Sequence, residues 1–177
     1  MKHLLSALLI AASALTAQAA TLEPAKSDLS FTFKQMGVPV DGKFKKFDAQ
    51  LDFDAKKPEA GKIAFTVDLG SVSLGDASFD AEVGKAPWFD TKRNGKATFV
   101  STAIKPTGPG KYDVAGKLTI KGATRDVVVP ITLNAGVAAG SVAIKRLDFK
   151  IGDGEWADTS MVANDVTVKF KLAFAGI

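Results

Sequence analysis

The chain of 177 residues contains no cysteine, and its one histidine is His3. Beyond the first few residues there is no thiolate and no imidazole. Cysteine nucleophiles, Ser-His-Asp triads, disulfides and His/Cys metal sites are therefore excluded. Tyrosine and tryptophan are scarce, one and two residues against 12 phenylalanines. A dominant charge is lacking too: 23 Lys and Arg face 19 Asp and Glu, for a formal net charge of +4. No basic stripe runs along the sequence, so nucleic acid is not an expected partner. Lys121-Gly122-Ala123-Thr124 lacks the G-x-x-x-x-G-K-[ST] frame of a phosphate loop. Asp153-Gly154-Glu155 lacks the further ligands of a calcium loop. What is plentiful is apolar sequence, 46% of residues, with 24% charged, a balance that suits one globular domain.

Residues 1–19 have the three parts of a secretory signal. Lys2 and His3 give a basic start, Leu4 to Leu15 is apolar except for Ser6 and Ser13, and Ala17-Gln18-Ala19 is a small-x-small cleavage site. A membrane-spanning helix needs ~20 apolar residues, more than this run supplies. The expectation is a cleaved leader, a mature domain over 20–177 and a periplasmic location.

The rest of the chain alternates. Leu29, Phe31 and Phe33 share one face; so do Ile63, Phe65, Val67 and Leu69. Tyr112, Val114, Gly116, Leu118 and Ile120 repeat the pattern, as do Val127, Val129, Ile131 and Leu133, and then Val166, Val168, Phe170, Leu172 and Phe174. Period two marks strands with one buried and one wet face. Parity slips between Phe44 and Phe47 and between Ile144 and Leu147 predict bulges or corners in long strands. Turn residues divide the chain into about eight strands, a count taken from those breaks. The exception is Leu74 to Lys85, which lacks alternation. Asp76 as N-cap and the four-residue spacing of Phe79 and Val83 predict one short helix, stopped by Pro87. The fold class expected is all-β: an eight-stranded antiparallel barrel with one helix. A membrane barrel would carry Tyr and Trp girdles, so their scarcity favours a barrel that stands in water.

Five segments, in order, resemble the YceI-like family of exported lipid-binding barrels. They are Gly37 to Phe47; Glu82 with Trp88-Phe89-Asp90 and Ala97-Thr98-Phe99-Val100-Ser101; Gly116 to Thr124, similar to a G-x-L-T-I-x-G-x-T run; Arg146 to Gly152, similar to R-x-D-F; and Asn164 to Val168. Met36-Gly37-Val38 and Gly154-Glu155-Trp156 resemble a subgroup linked to membrane cytochromes of the b561 type. The resemblance implies a lipocalin-like barrel that holds a polyisoprenoid, a quinone or a similar lipid, with no covalent cofactor, no metal and no catalysis. The partners implied are that lipid, a membrane-bound cytochrome and a second copy in a homodimer. The alternative is a filled barrel acting as an interaction module for a membrane redox partner.

On this reading the ligand tunnel is lined by Phe31, Phe33, Phe44, Phe65, Phe99, Leu118, Ile120, Phe149 and Phe170, with Trp88 and Phe89 as a lid. From alternation alone the same residues would equally make a solid core. Gly42, Gly116 and Gly122 could relieve crowding or simply make turns. Arg146, Asp148 and Lys34 are the candidates to meet a polar headgroup. For Arg146 and Asp148 a mutual ion pair is the plainer alternative. Glu82, Asp90, Asp148 and Glu155 are the carboxylates a hydrolase would need, but no spacing brings two of them together.

Overall fold

The structure, a computed structural model, describes residues 19–177. Of the expected leader only Ala19 lies inside that range. Eleven strands form one antiparallel sheet: β1 (Ala20–Leu22), β2 (Asp28–Gln35), β3 (Val38–Phe44), β4 (Phe47–Asp52), β5 (Lys62–Asp68), β6 (Val72–Ser73), β7 (Lys96–Gly108), β8 (Lys111–Ile120), β9 (Ala123–Asn134), β10 (Val137–Lys145) and β11 (Asp165–Ala175). Their order is β1-β4-β5-β7-β8-β9-β10-β11-β2-β3-β6. β1 also pairs with β11, Leu22 opposite Phe174, while its other edge pairs with β4, Ala20 opposite Leu51. That double pairing closes the ring. β1 and β2 are one stave interrupted by a 3-10 turn at Pro24–Lys26, and β3 and β4 are one stave bent at Lys45-Lys46. With β6 a short strip along β3, the barrel has the eight staves that the alternation predicts.

The two parity slips turn out differently. The slip between Phe44 and Phe47 is the β3–β4 corner, and Phe47 re-enters the ladder opposite Val67. The slip after Ile144 is not a bulge. β10 ends at Lys145, and Arg146–Phe149 form a 3-10 turn that leaves the sheet, with Lys150 left-handed at φ 56°. A real bulge sits where no slip was expected, between Ser101 and Ala103 of β7. It switches the inward parity from Ala97 and Phe99 to Ile104. Between β8 and β9, Lys121 and Gly122 both take positive φ, 49° and 74°, the geometry of a type I′ hairpin turn.

The helix α1 is shorter than its signal, Ala77–Val83. The Asp76 carboxylate caps it by accepting from the amides of Ser78 and Phe79. The Ser78 hydroxyl, which also donates to this carboxylate, and then these amide bonds hold the Asp76 carboxyl below its ordinary range. The helix stops at Gly84, three residues before Pro87. Phe79 is 62% exposed, so the expected Phe79–Val83 buried face reduces to Val83.

The inner face is apolar and the outer face polar: along β11, Val166, Val168, Phe170, Leu172 and Phe174 turn inward between Thr167, Lys169 and Lys171. This is the reverse of a membrane barrel, whose apolar face looks out. The ladder has a gap between two neighbouring strands. β9 and β10 pair only from Ile131–Gly140 down to Asn134–Val137. Above Pro130 and Gly140 the two strands run on without pairing to each other.

The interior stays open because aromatic rings lie flat on the wall. Phe31 stands opposite Gly42, Phe170 opposite Gly140, and Phe99 is diagonal to Gly116. A methyl group built on Gly42 would strike the Phe31 ring and Leu74. One on Gly116 would lie 2.5 Å from two Phe99 ring carbons and 2.6 Å from the Val100 carbonyl oxygen. Each glycine leaves a recess that a ring fills, a cross-strand packing known to rescue glycine in sheets. Gly42→Ala and Gly116→Ala are each expected to lower unfolding free energy by about 1–3 kcal/mol, the usual cost of overpacking. Gly116→Ala should be the worse, since a backbone carbonyl yields less than a ring. Urea denaturation of both variants checks the order; equal, negligible losses would refute the recess argument.

Candidate functional site

The lumen is a single cavity of about 250 Å³. It runs nearly the length of the barrel: Tyr112 and Ile120, eight residues apart on β8, both line it. At about 3.4 Å per residue and a stave tilt of about 40°, that separation is about 20 Å along the axis. The volume lies just below the range of ~300–1,000 Å³ typical of small-molecule sites, so the space is narrow for its length. Its wall is apolar except for Thr98, Tyr112, Trp88 and Arg146.

Of the eleven apolar residues expected to form the tunnel and its lid, ten line the cavity: Phe31, Phe33, Phe44, Phe65, Trp88, Phe89, Phe99, Leu118, Ile120 and Phe170. Phe149 does not. It is 2% exposed and packs with Leu69, Ala97 and Ile151 at one end of the barrel, because its segment has left the sheet as a 3-10 turn. Phe33, Phe31, Phe44 and Phe89 form a chain of rings, with successive centroids at 6.4, 5.3 and 5.8 Å. At the far end Phe53 meets Tyr112 edge-on at 5.1 Å. Sequence reasoning missed Ala138 and Val142, inward residues of β10, although with Gly140 and Ile144 they alternate in plain sight. Small side chains weaken that signal. It also missed Ile104, which the β7 bulge alone turns inward.

The polar candidates are placed otherwise than expected. Lys34 and Asp148 are exposed and do not touch the lumen. Lys34 keeps the outward parity of β2, and Asp148 lies on the outer side of the 3-10 turn. Arg146 is 2% exposed and lines the cavity, yet it pairs with no carboxylate. Its five N–H donors meet five backbone carbonyls instead. Nε donates to Ala163 at 3.1 Å, Nη1 to Ile151 at 2.9 Å and to Gly152, and Nη2 to Trp156 and Val162, both at 2.7 Å. Neither the Arg–Asp pair nor a free headgroup cation survives. Burial pushes the Arg146 pKa down, and a guanidinium keeps its proton nonetheless. The charge braces the segment 146–164, which closes over one end with two short 3-10 turns as its only helical structure.

Lys121 makes a second brace. Its ammonium donates to the carbonyls of Pro87 at 3.1 Å and Lys150 at 2.7 Å, and lies 3.8 Å from the Asp153 carboxylate. It thereby ties the segment after α1 to the segment after β10. Between those segments Trp88 packs against Trp156, the ring centroids 5.3 Å apart and the planes tilted by 44°, so the expected lid residue is held by the Gly154–Trp156 turn. The carboxylates considered for hydrolysis are not assembled: Glu82 pairs with Lys85 on the surface, and neither Asp90 nor Glu155 lines the lumen.

Arg146→Met should lower stability by at least ~3 kcal/mol, because five carbonyls lose their donors and some stay buried. Arg146→Lys keeps the charge with three donors for five acceptors and should fall between. Urea denaturation gives both values; a methionine variant within ~1 kcal/mol of the parent would show that the brace is not stabilising.

The comparison with known proteins agrees with this architecture. Over residues 21–174 the sequence matches the YceI-like domain. A UPF0312 protein of Ectopseudomonas mendocina is 41% identical over 88 residues, 50% of this chain and 46% of the relative, so the match spans about half that protein's length. The crystal structure of Burkholderia cenocepacia BcnA is similar at a TM-score of 0.82 and 46% identity, covering 88% of this chain and 99% of BcnA. A polyisoprenoid binding domain from Saccharophagus degradans shares the fold at a TM-score of 0.68 and 18% identity, over 90% of this chain and 98% of that one. An eight-stave antiparallel barrel with a phenylalanine-lined lumen and a match across nearly the whole described chain make this protein a member of the YceI-like family.

Proposed function

We propose that the protein binds one long-chain isoprenoid lipid or quinone in its lumen and carries it without chemical change. The observation on which this rests is the cavity itself: long, narrow, and apolar except at four residues. A compact polar substrate would leave most of that wall unused. An extended hydrocarbon would cover it, gaining roughly 25 cal/mol per Å² of apolar surface taken from water. The name of the Saccharophagus degradans domain supports the choice of an isoprenoid.

Binding is favoured over catalysis by the chemistry of the wall. The one charged group there, Arg146, has every donor engaged with the backbone. Thr98, Tyr112 and Trp88 supply neither a general base nor an activated nucleophile at neutral pH. The filled-barrel alternative fits poorly with an open lumen. A membrane cytochrome remains a candidate recipient of the lipid, and the periplasm is the compartment in which we place the exchange, on the strength of the leader sequence.

Val129 lies on the inward face of β9, opposite Val114. Val129→Trp should fill the lumen there while keeping the strand's β propensity. A prenylated fluorescent probe is expected to bind the parent protein and to lose at least tenfold in affinity with the variant, both showing the same far-UV circular dichroism. Native mass spectrometry of protein taken from its own host should show a bound lipid. An empty protein that also fails to take up the probe would defeat the proposal.

A further inference from the structure

Trp88 sits where the lumen meets the covering segments, and its two edges have different surroundings. The benzo edge, at Cε3 and Cζ3, lies against Gly152: a methyl group built there would be 2.6 Å from Cζ3 and 3.1 Å from Cε3. The Arg146 Nη1 is on the same side, 2.6 Å from that position. Nε1 is on the opposite edge of the indole. It is buried from solvent, and no protein acceptor lies within hydrogen-bond reach. Among the described residues it is the one buried side-chain nitrogen or oxygen left so. An unmet buried donor is costly, and native proteins keep few of them.

From this we infer that Trp88 Nε1–H is the hook for the polar end of the lipid, and that the end it selects is neutral and accepts a hydrogen bond: a hydroxyl, or a carbonyl, rather than a phosphate. The inference rests on the lipid-binding proposal above and adds to it which head is taken and by which atom. One neutral N–H satisfies one lone pair. A diphosphate would need cationic partners. The nearest cation, Arg146, has none of its five donors to give, and Lys121 is held by Pro87, Lys150 and Asp153. An anion drawn into this apolar end would therefore stay unpaired, and desolvating it would cost more than a single neutral donor returns. Of the remaining cavity hydroxyls, Tyr112 stands at the far end against Phe53, and Thr98, opposite Thr119 toward the covered end, keeps the outward parity between Ala97 and Phe99. With the head at Trp88, the tail runs past Phe89 and Phe44 toward Phe53 and Tyr112.

Three ligands with the same three-isoprene tail separate the possibilities: farnesol, the hydrocarbon farnesene and farnesyl diphosphate. Isothermal titration of the full mature protein is expected to rank farnesol about five- to tenfold tighter than farnesene, the value of one well-made hydrogen bond. Farnesyl diphosphate should bind weakest. Trp88→Phe removes the N–H and keeps an aromatic ring, so it should erase the farnesol advantage and bring farnesol and farnesene to within about twofold of each other, whatever it does to both together. Tyr112→Phe should leave the ranking intact. The second readout needs no variant of Trp88: in 15N-labelled protein, with the indole signals assigned through Trp156→Phe, farnesol should move the Trp88 N–H resonance downfield and farnesene should not. A Trp88→Phe protein that still prefers farnesol, an indole resonance that farnesol leaves in place, or a tighter complex with the diphosphate would each overturn the inference while leaving lipid binding standing. Failure of all three ligands to bind would bring down the lipid-binding proposal, and this inference with it.

Discussion

The lumen depends on where three glycines fall relative to three phenylalanines. Closing eight staves forces every second side chain inward, and in a barrel of this size those side chains can fill the space completely. Here the rings of Phe31, Phe99 and Phe170 fold down over Gly42, Gly116 and Gly140. Each ring covers its neighbour strand instead of reaching across. The wall gains the apolar area of an aromatic residue and the interior keeps its width. A barrel with alanine or valine at the glycine positions could bury as much surface, but its rings would have to stand into the lumen.

The covering end obeys a different economy, built on cations and carbonyls. Segment 146–164 has little regular structure, so its backbone carbonyls must find partners elsewhere or face water. Arg146 answers five of them from one buried side chain, and Lys121, from the β8–β9 turn, answers one more at Lys150 together with the carbonyl of Pro87. These cations have no close carboxylate of the usual kind; the Lys121–Asp153 distance is 3.8 Å. Charge-assisted bonds to carbonyls are stronger than neutral ones, which lets irregular chain serve as a fixed wall. The same arrangement removes both cations from ligand chemistry. An arginine beside a cavity suggests an anion site until its donors are counted.

Much of this was legible from alternation. The staves, their inward residues and the corner after Phe44 follow from period two, because a strand cannot present both parities to one core. The break at Gly122 and the cap at Asp76 follow from local chemistry. What escaped depends on distant parts of the chain. Whether an inward phenylalanine fills a core or coats a wall is decided by the residue across the ladder, and the Phe170–Gly140 pair joins positions 30 residues apart in sequence. Phe149 kept the parity of a strand residue, yet the Arg146 carbonyl bonds had already turned its segment out of the sheet. The unpaired N–H of Trp88 has no sequence signature at all, since any buried tryptophan looks the same until its neighbours are known.

The unpaired stretch between β9 and β10 follows from the same logic of recesses. At Gly140 a methyl group would lie 2.5 Å from the Pro130 carbonyl oxygen and 2.6 Å from a Phe170 ring carbon. The strands approach closely there, at the last rung of their ladder. Pro130 has no N–H to extend the ladder upward, and the two strands part above it. Val127 and Val129 on one side of the parting, and Val142 and Ile144 on the other, all belong to the lumen wall. Along most of the ring, widening the barrel would break backbone rungs. Here it would only separate aliphatic side chains. That stretch of the wall is held by packing alone, and it begins where one proline and one glycine bring the two backbones close together.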